Sequence, residues 1–164
     1  MNREVVVVNL SHRKECYMPN QIEIIKADNN LRQQVINLLE SEKLPVEDLP
    51  ASLDNFLIAV DDDAAVGAIG MEQYDNYALL RSLVVHKKYR DKNIAAQLVH
   101  ELEQKAAATG IIDLFLLTET APGYFTKKGY ATITRDDVPV ALQASSEFSY
   151  VCPVSAIVMK KSLQ

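Results

Sequence analysis

The sequence predicts a mixed α/β fold, with antiparallel strands in its first half and a parallel pair in the middle. Three observations carry this. Two strand-like runs, "AVGAIGMEQY" and "YALLRSLVV", flank Asp75-Asn76, a hairpin turn signal. Residues 77–118 read strand, helix, strand, the unit that joins two parallel strands by a right-handed crossover. The strand closing that unit, "IIDLFLLT", is mostly apolar, as a strand buried on both faces must be.

The elements follow in order. "QIEIIKA" is Ile-rich and reads as the first strand. Asp28 or Asn29 is placed to cap a helix over residues 31–42, whose Leu31, Val35, Leu38 and Leu39 share one face. "LPVEDLP" holds two prolines and makes a loop or a short helix. "NFLIAVD" is the second strand, "DDDAA" turns the chain, and the hairpin supplies the third and fourth. Ile94, Leu98 and Leu102 then mark the buried face of a helix that Gly110 ends. After the fifth strand, Pro122 suits the first turn of a short helix that stops at Gly129. "YATIT" is a strand, Pro139 to Phe148 is loop and helix, and "PVSAIVMKK" is the last strand. Residues 1–20 are polar apart from "VVVV" and read as an N-terminal extension. Residues 21–164 read as one domain.

The composition excludes several classes. The net charge of −5 excludes a broad nucleic-acid surface, which needs clustered excess cations. No apolar run reaches the roughly 18–20 residues of a membrane span. "VVVV" is too short for a secretory signal, so a cytoplasmic location is expected. Cys16 and Cys152 suggest neither a disulfide framework nor a metal site, and His12, His86 and His100 lack ligand spacing. No metal is expected.

The turn between the fourth strand and the central helix stands apart. Lys87, Lys88, Arg90 and Lys92 crowd it against the single acid Asp91. A helix N-terminus exposes unpaired amides and a partial positive charge, so a diphosphate is the natural guest. A solvated turn with ordinary lysines is the competing reading.

"LRSLVVHKKYRDKNIAAQLV" resembles the acetyl-CoA-binding motif of the GNAT N-acetyltransferases, whose turn carries Q/R-x-x-G-x-G/A. The match is Arg90-Asp91-Lys92-Asn93-Ile94-Ala95, with Asn93 in place of the usual first Gly. Asn is the residue after Gly that best tolerates left-handed dihedrals. "APGYFTKKGY" resembles the family's short helix and Gly-aromatic ending. The runs "DNFLIAV", "LLTETA" and "EFSYVCPVSA" are similar to the subgroup found with arsenic-resistance genes and to N-acetylglutamate-synthase-like enzymes. The resemblance covers residues 21–162. It implies a GNAT-like sheet that splays between the fourth and fifth strands, with acetyl-CoA in the gap. The pantetheine would pair with the backbone of Leu83, Val84 and Val85. The pyrophosphate would lie on the amides from Asp91 through Lys92, Asn93, Ile94 and Ala95 to Ala96, with Arg90 and Lys92 adding charge. Homodimers are common in the family, and "VVVV" could pair across one.

Acetylating an amine needs a neutral amine, a polarised thioester carbonyl and a protonated leaving thiolate. A symmetric turn at Asp75-Asn76 sets Glu72 opposite Leu79 and Gly70 opposite Arg81. Glu72 and Arg81 are then diagonal neighbours on one face. Arg81 is the expected grip for a substrate carboxylate and Glu72 the proton relay; a structural ion pair is the alternative. Phe125 stands where the family has its acidic Tyr, and is expected to pack on the pantetheine. Tyr124, one place earlier and about 100° around the helix, or Tyr130, or water, would then protonate the thiolate. Thr118 and Thr120 are candidates for hydrogen bonds to ligand, or else cap the next helix. Ser155 and Cys152 border the acceptor pocket on resemblance only, and His86 is a candidate base or a plain turn residue. The expected activity is acetyl-CoA-dependent transfer to a small, amino-acid-like primary amine. The rivals are a different acceptor (polyamine, aminoglycoside, protein N-terminus) and an acyl-CoA-binding sensor module without turnover.

Overall fold

The computed structural model describes residues 21–164. The expected extension, with "VVVV", His12 and Cys16, lies outside the described residues. The strands are β1 (Glu23–Lys26), β2 (Phe56–Asp61), β3 (Ala64–Tyr74), β4 (Tyr77–Val85), β5 (Asp113–Thr118), β6 (Ala131–Ile133) and β7 (Ile157–Ser162). The helices are α1 (Arg32–Ser41), α2 (Ile94–Ala108), α3 (Pro122–Lys127) and α4 (Val140–Gln143). One seven-stranded sheet runs β1-β2-β3-β4-β5-β7-β6. Every neighbouring pair is antiparallel except β4–β5.

Strand alternation divides the core between the two faces of this sheet. Ala59, Ile69, Met71, Leu80, Leu114 and Leu116 face one side, where Ile94, Leu98, Leu102 and Ala106 of α2 cover them. Ile58, Val60, Ala68 and Val84 face the other, under Val35, Leu38 and Leu39 of α1. Two glycines in β3 make room for close packing. A Cβ on Gly67 would lie 3.1 Å from Leu98 and 3.2 Å from Ile94, and one on Gly70 would lie 2.5 Å from the Phe56 ring.

Local signals fixed most element ends. Asp75 takes φ 54 and the hairpin register is Tyr74↔Tyr77, Glu72↔Leu79 and Gly70↔Arg81. Gly110 and Gly129, both at positive φ, close α2 and α3 in the same way. Ile111 N donates to Ala106 O and Gly110 N to Ala107 O; Tyr130 N donates to Phe125 O and Gly129 N to Thr126 O. These are paired Schellman bonds, and the second set comes with a Phe125–Tyr130 ring contact at 5.5 Å.

Three details differ from expectation. Asp28 accepts from the amides of Asn30 and Leu31, so it caps the turn leading into α1; the helix's own N-cap position, Leu31, has no side-chain cap. The last strand starts at Ile157, because Pro153 O accepts from Ala156 N and closes a turn there. Residues 139–151 break into α4 and a separate π-helical turn, Glu147–Val151, in which Cys152 N donates to Glu147 O. Among the described residues, no helix is long and apolar enough to cross a membrane.

Candidate active site

The parallel pair β4–β5 is joined only from Tyr77↔Asp113 to Leu79↔Phe115. Beyond that point β4 runs on to Val85 and β5 to Thr118 without pairing to each other. Ser82, at φ 57, supplies a bulge where the β3–β4 register shifts. A bulge bends its strand and strengthens local twist, which carries β4 away from β5. The bulge follows Arg81, so the hairpin register that sets Glu72 beside Arg81 stands.

Two cavities occupy this gap. The larger, about 530 Å³, is lined by Arg81, Ser82 and Leu83 of β4, Leu116 to Thr118 of β5, Tyr124 and Phe125 of α3, and Glu147 and Cys152. The smaller, about 440 Å³, is lined by Val85, Tyr89, Arg90, Asp91, Asn93 to Ala96, and Tyr124. Tyr124 lines both.

The smaller cavity sits on the start of α2. Asn93 is the N-cap residue at φ 61, ψ 14, and among the described residues no side-chain hydrogen bond caps the helix there. Asp91 is left-handed too, at φ 63. The first-turn amides therefore line an open hollow, as an anion site requires. Two of the flanking cations are engaged elsewhere. Arg90 forms an ion pair with Glu42, and Lys92 Nζ lies 4.8 Å from the Tyr89 ring centroid. His86 acts as a turn residue, its Nδ1 accepting from Lys88 N at 3.3 Å. Leu83 and Val85 line the cavities, whereas Val84 points its side chain into the opposite core.

On α3, Phe125 is buried and packs between Tyr124 and Tyr130 while still touching the larger cavity. The Tyr130 hydroxyl donates to Glu103 at 3.0 Å, so it is committed to the core. The Tyr124 hydroxyl is buried and has no hydrogen-bond partner among the described residues. Burial, and then the Glu103 charge, raise its pKa and keep it protonated. An unpartnered buried hydroxyl is costly unless a ligand or water meets it.

Arg81 is 3% exposed and borders the larger cavity. Its Nη2 lies 2.7 Å from Asp48 Oδ1, its Nη1 pairs with Glu72, and its Nε is 3.4 Å from Glu147 Oε1. Burial alone would lower the guanidinium pKa; Asp48, Glu147 and Glu72 outweigh it and raise it. Glu72 does not line the cavity: one oxygen meets Arg81 and the other accepts from Tyr74 at 2.7 Å. Asp48 is likewise held at both oxygens, by Arg81 and by Ser146 at 2.8 Å.

The remaining candidates divide. Thr118 lines the cavity, but its Oγ1 accepts from Ala121 N at 3.1 Å and holds the turn into α3. Thr120 lines the cavity and is exposed. Ser155 is exposed in the turn before β7 and does not line either cavity, because the strand begins two residues later. Cys152 does line the cavity; burial, then Glu147 and Asp48, push its thiol up to about 11. Sequence reasoning missed Asp48 and Glu147. Both lie in irregular segments, where no periodicity marks which way a side chain turns.

The model of the acetyltransferase (GNAT) domain matches residues 52–132, which hold the splayed strands and the start of α2. This chain carries a GNAT acetyltransferase domain. Among curated relatives of this GNAT chain, an amino-acid acetyltransferase of Aeromonas salmonicida is 28% identical over 99 residues, 59% of this chain and 22% of that protein. One of Mannheimia succiniciproducens is 27% identical over 124 residues, covering 74% and 27%. The chain thus spans about a quarter of the length of these relatives. In fold, the GNAT chain is similar to N-acetylglutamate synthase from Neisseria gonorrhoeae, solved with coenzyme A and N-acetyl-glutamate. The TM-score is 0.76 at 17% identity, covering 88% of this chain and 35% of that one. A GNAT acetyltransferase of Staphylococcus aureus gives 0.72 at 21% identity, covering 88% and 100%.

Proposed function

We propose that this chain transfers the acetyl group of acetyl-CoA to the primary amine of a small, amino-acid-like acceptor. The observation that carries the reading is that Tyr124 lines both cavities. One cavity opens on the first-turn amides of α2, suited to a diphosphate, the other on Glu147 and Arg81, suited to an amine and a carboxylate. The buried Tyr124 hydroxyl lacks a partner among the described residues. The amides of Asn93 to Ala96 would hold the pyrophosphate, and the unpaired edge of β4 near Leu83 to Val85 the pantetheine. Acetyl-CoA supplies an activated acyl group on a good leaving thiol. Tyr124 then donates its proton to the departing sulfur, and Phe125 packs against the arm.

The amino-acid-like acceptor is supported by the relatives named amino-acid acetyltransferases. In this reading Arg81 receives the acceptor's carboxylate by exchanging one of the carboxylates it holds. A second reading has support as well. Three carboxylates surround a single guanidinium, so the cluster carries excess negative charge and suits a cationic acceptor such as a polyamine or aminoglycoside. Comparing an amino acid with the amine left when its α-carboxyl is removed separates the two: the first reading expects a higher kcat/KM for the amino acid, the second for the amine.

The test of the transfer itself is Tyr124→Phe. The wild type is expected to acetylate at least one amine among the common amino acids and spermidine. The variant is expected to lose about 10²-fold or more in kcat with its affinity for CoA unchanged. Binding of acetyl-CoA by the wild type without transfer to any amine would instead make the chain a CoA-binding module.

A further inference from the structure

We propose that Glu147 is the catalytic base that takes the proton from the acceptor ammonium. This rests on the acetyl-transfer reading above and adds to it a residue that the sequence did not single out.

The case is one of elimination among buried carboxylates. Three of them meet at Arg81. Asp48 and Glu72 each have both oxygens engaged, by Arg81 and Ser146 in one case and by Arg81 and Tyr74 in the other. Of these three, only Glu147 lines the larger cavity; Glu42 and Glu119 line it too, but Glu42 is paired with Arg90 and Glu119 is exposed. Glu147 is 8% exposed, and among the described residues its carboxylate forms one ion pair, Oε1 at 3.4 Å from Arg81 Nε, with no hydrogen bond to Oε2. Its backbone is fixed by the π-helical turn, since Glu147 O accepts from Cys152 N at 3.0 Å. Single π turns of this kind are frequent at functional sites.

The surroundings suit the task. Burial, first, and then the charges of Asp48 and Glu72 raise the carboxyl to about 7, against the opposing pull of Arg81. The other titratable group that feels it is Cys152, whose thiol Glu147 itself pushes up. A base with a pKa near neutrality is ionised when the amine arrives and still basic enough to accept its proton.

The protons balance. The ammonium gives one proton to Glu147, which passes it to solvent. The neutral nitrogen attacks the thioester carbonyl, forming the C–N bond, and the C–S bond breaks. Tyr124 donates its hydroxyl proton to the sulfur, and the second proton of the nitrogen restores the Tyr124 hydroxyl. The products are the amide, CoA thiol and one proton in solvent.

The test compares wild type, Glu147→Gln and Glu147→Asp with acetyl-CoA and the best amine of the panel. For the wild type, kcat/KM is expected to rise with pH and level off above an inflection near pH 7, rather than near the pKa of the free amine. Glu147→Gln is expected to lose about 10²- to 10⁴-fold and the inflection with it, with CoA affinity unchanged. Glu147→Asp should restore part of the rate. In parallel, carbon-13 NMR of glutamate side-chain carboxyls should show one group titrating near pH 7 that both variants lack. A Glu147→Gln enzyme with the wild-type rate and inflection would overturn the role of Glu147 alone. If that variant does not fold, absence of any such titrating carboxyl in the wild type would overturn it. A wild type that binds CoA but acetylates no amine would overturn the transfer reading, and this role with it.

Discussion

Nη2 of Arg81 lies 2.7 Å from Oδ1 of Asp48, two side chains each about 97% buried and drawn from a strand and a loop 33 residues apart. The pair anchors the 44–50 loop and, through Ser146 on Asp48, the segment before the π turn to the floor of the larger cavity. A buried ion pair adds little net stability over a packed apolar pair, but removing one partner strands the other charge.

Arg81→Met should therefore strand three carboxylates at once. We expect a loss of about 3–5 kcal/mol, measured by urea unfolding at pH 7.5. A loss under about 1 kcal/mol would mean that the cluster opens to water. The same variant separates two roles in kinetics: where it stays folded, a rise in acceptor KM without a rise in acetyl-CoA KM would support Arg81 as the carboxylate grip.

Asn93 holds a left-handed backbone that lets the α2 amides open onto the smaller cavity. Asn93→Gly should bind CoA as well as the wild type. Asn93→Val carries a β-branched side chain into φ 61 at a cost of roughly 1–2 kcal/mol, and should weaken CoA binding by about 5- to 30-fold in titration calorimetry. Equal affinity in both variants would remove this turn from the cofactor site.

Glu147 also makes stability depend on pH. Its carboxyl sits at about 7 in the folded protein against 4.5 ordinarily, so between those values the folded state holds a proton that the unfolded state has lost. Stability from this group therefore falls as pH rises through that window. Glu147→Gln should match the wild type near pH 4.5 and exceed it by about 1–3 kcal/mol at pH 8, read from denaturant midpoints. Activity and stability then change in opposite directions in one variant.

The strand order of the first half, the hairpin register and the helix ends were legible because each rests on a local rule. Asp75-Asn76 fixed which residue faces which across β3 and β4. Pro122 and Gly129 bounded α3, and Asn93 could take the left-handed backbone of the glycine it replaces. The pairing of Glu72 with Arg81 followed from that register alone.

What register could not supply was who else reaches Arg81. Asp48 arrives from a Pro-flanked loop and Glu147 from a π turn, with Ser146 meeting Asp48 across 98 positions of chain. Neither segment has a period that would aim its side chains. The sequence by itself determined the secondary elements, the left-handed turn and the adjacency of Glu72 and Arg81, since hydrophobic spacing and turn chemistry act over a few residues. Only the tertiary structure decided that Arg81 is enclosed by three carboxylates, that Tyr124 keeps its hydroxyl free between two cavities, and that Glu147 faces the larger one. Those facts depend on how loops pack over a splayed sheet, and packing joins residues that no local pattern connects.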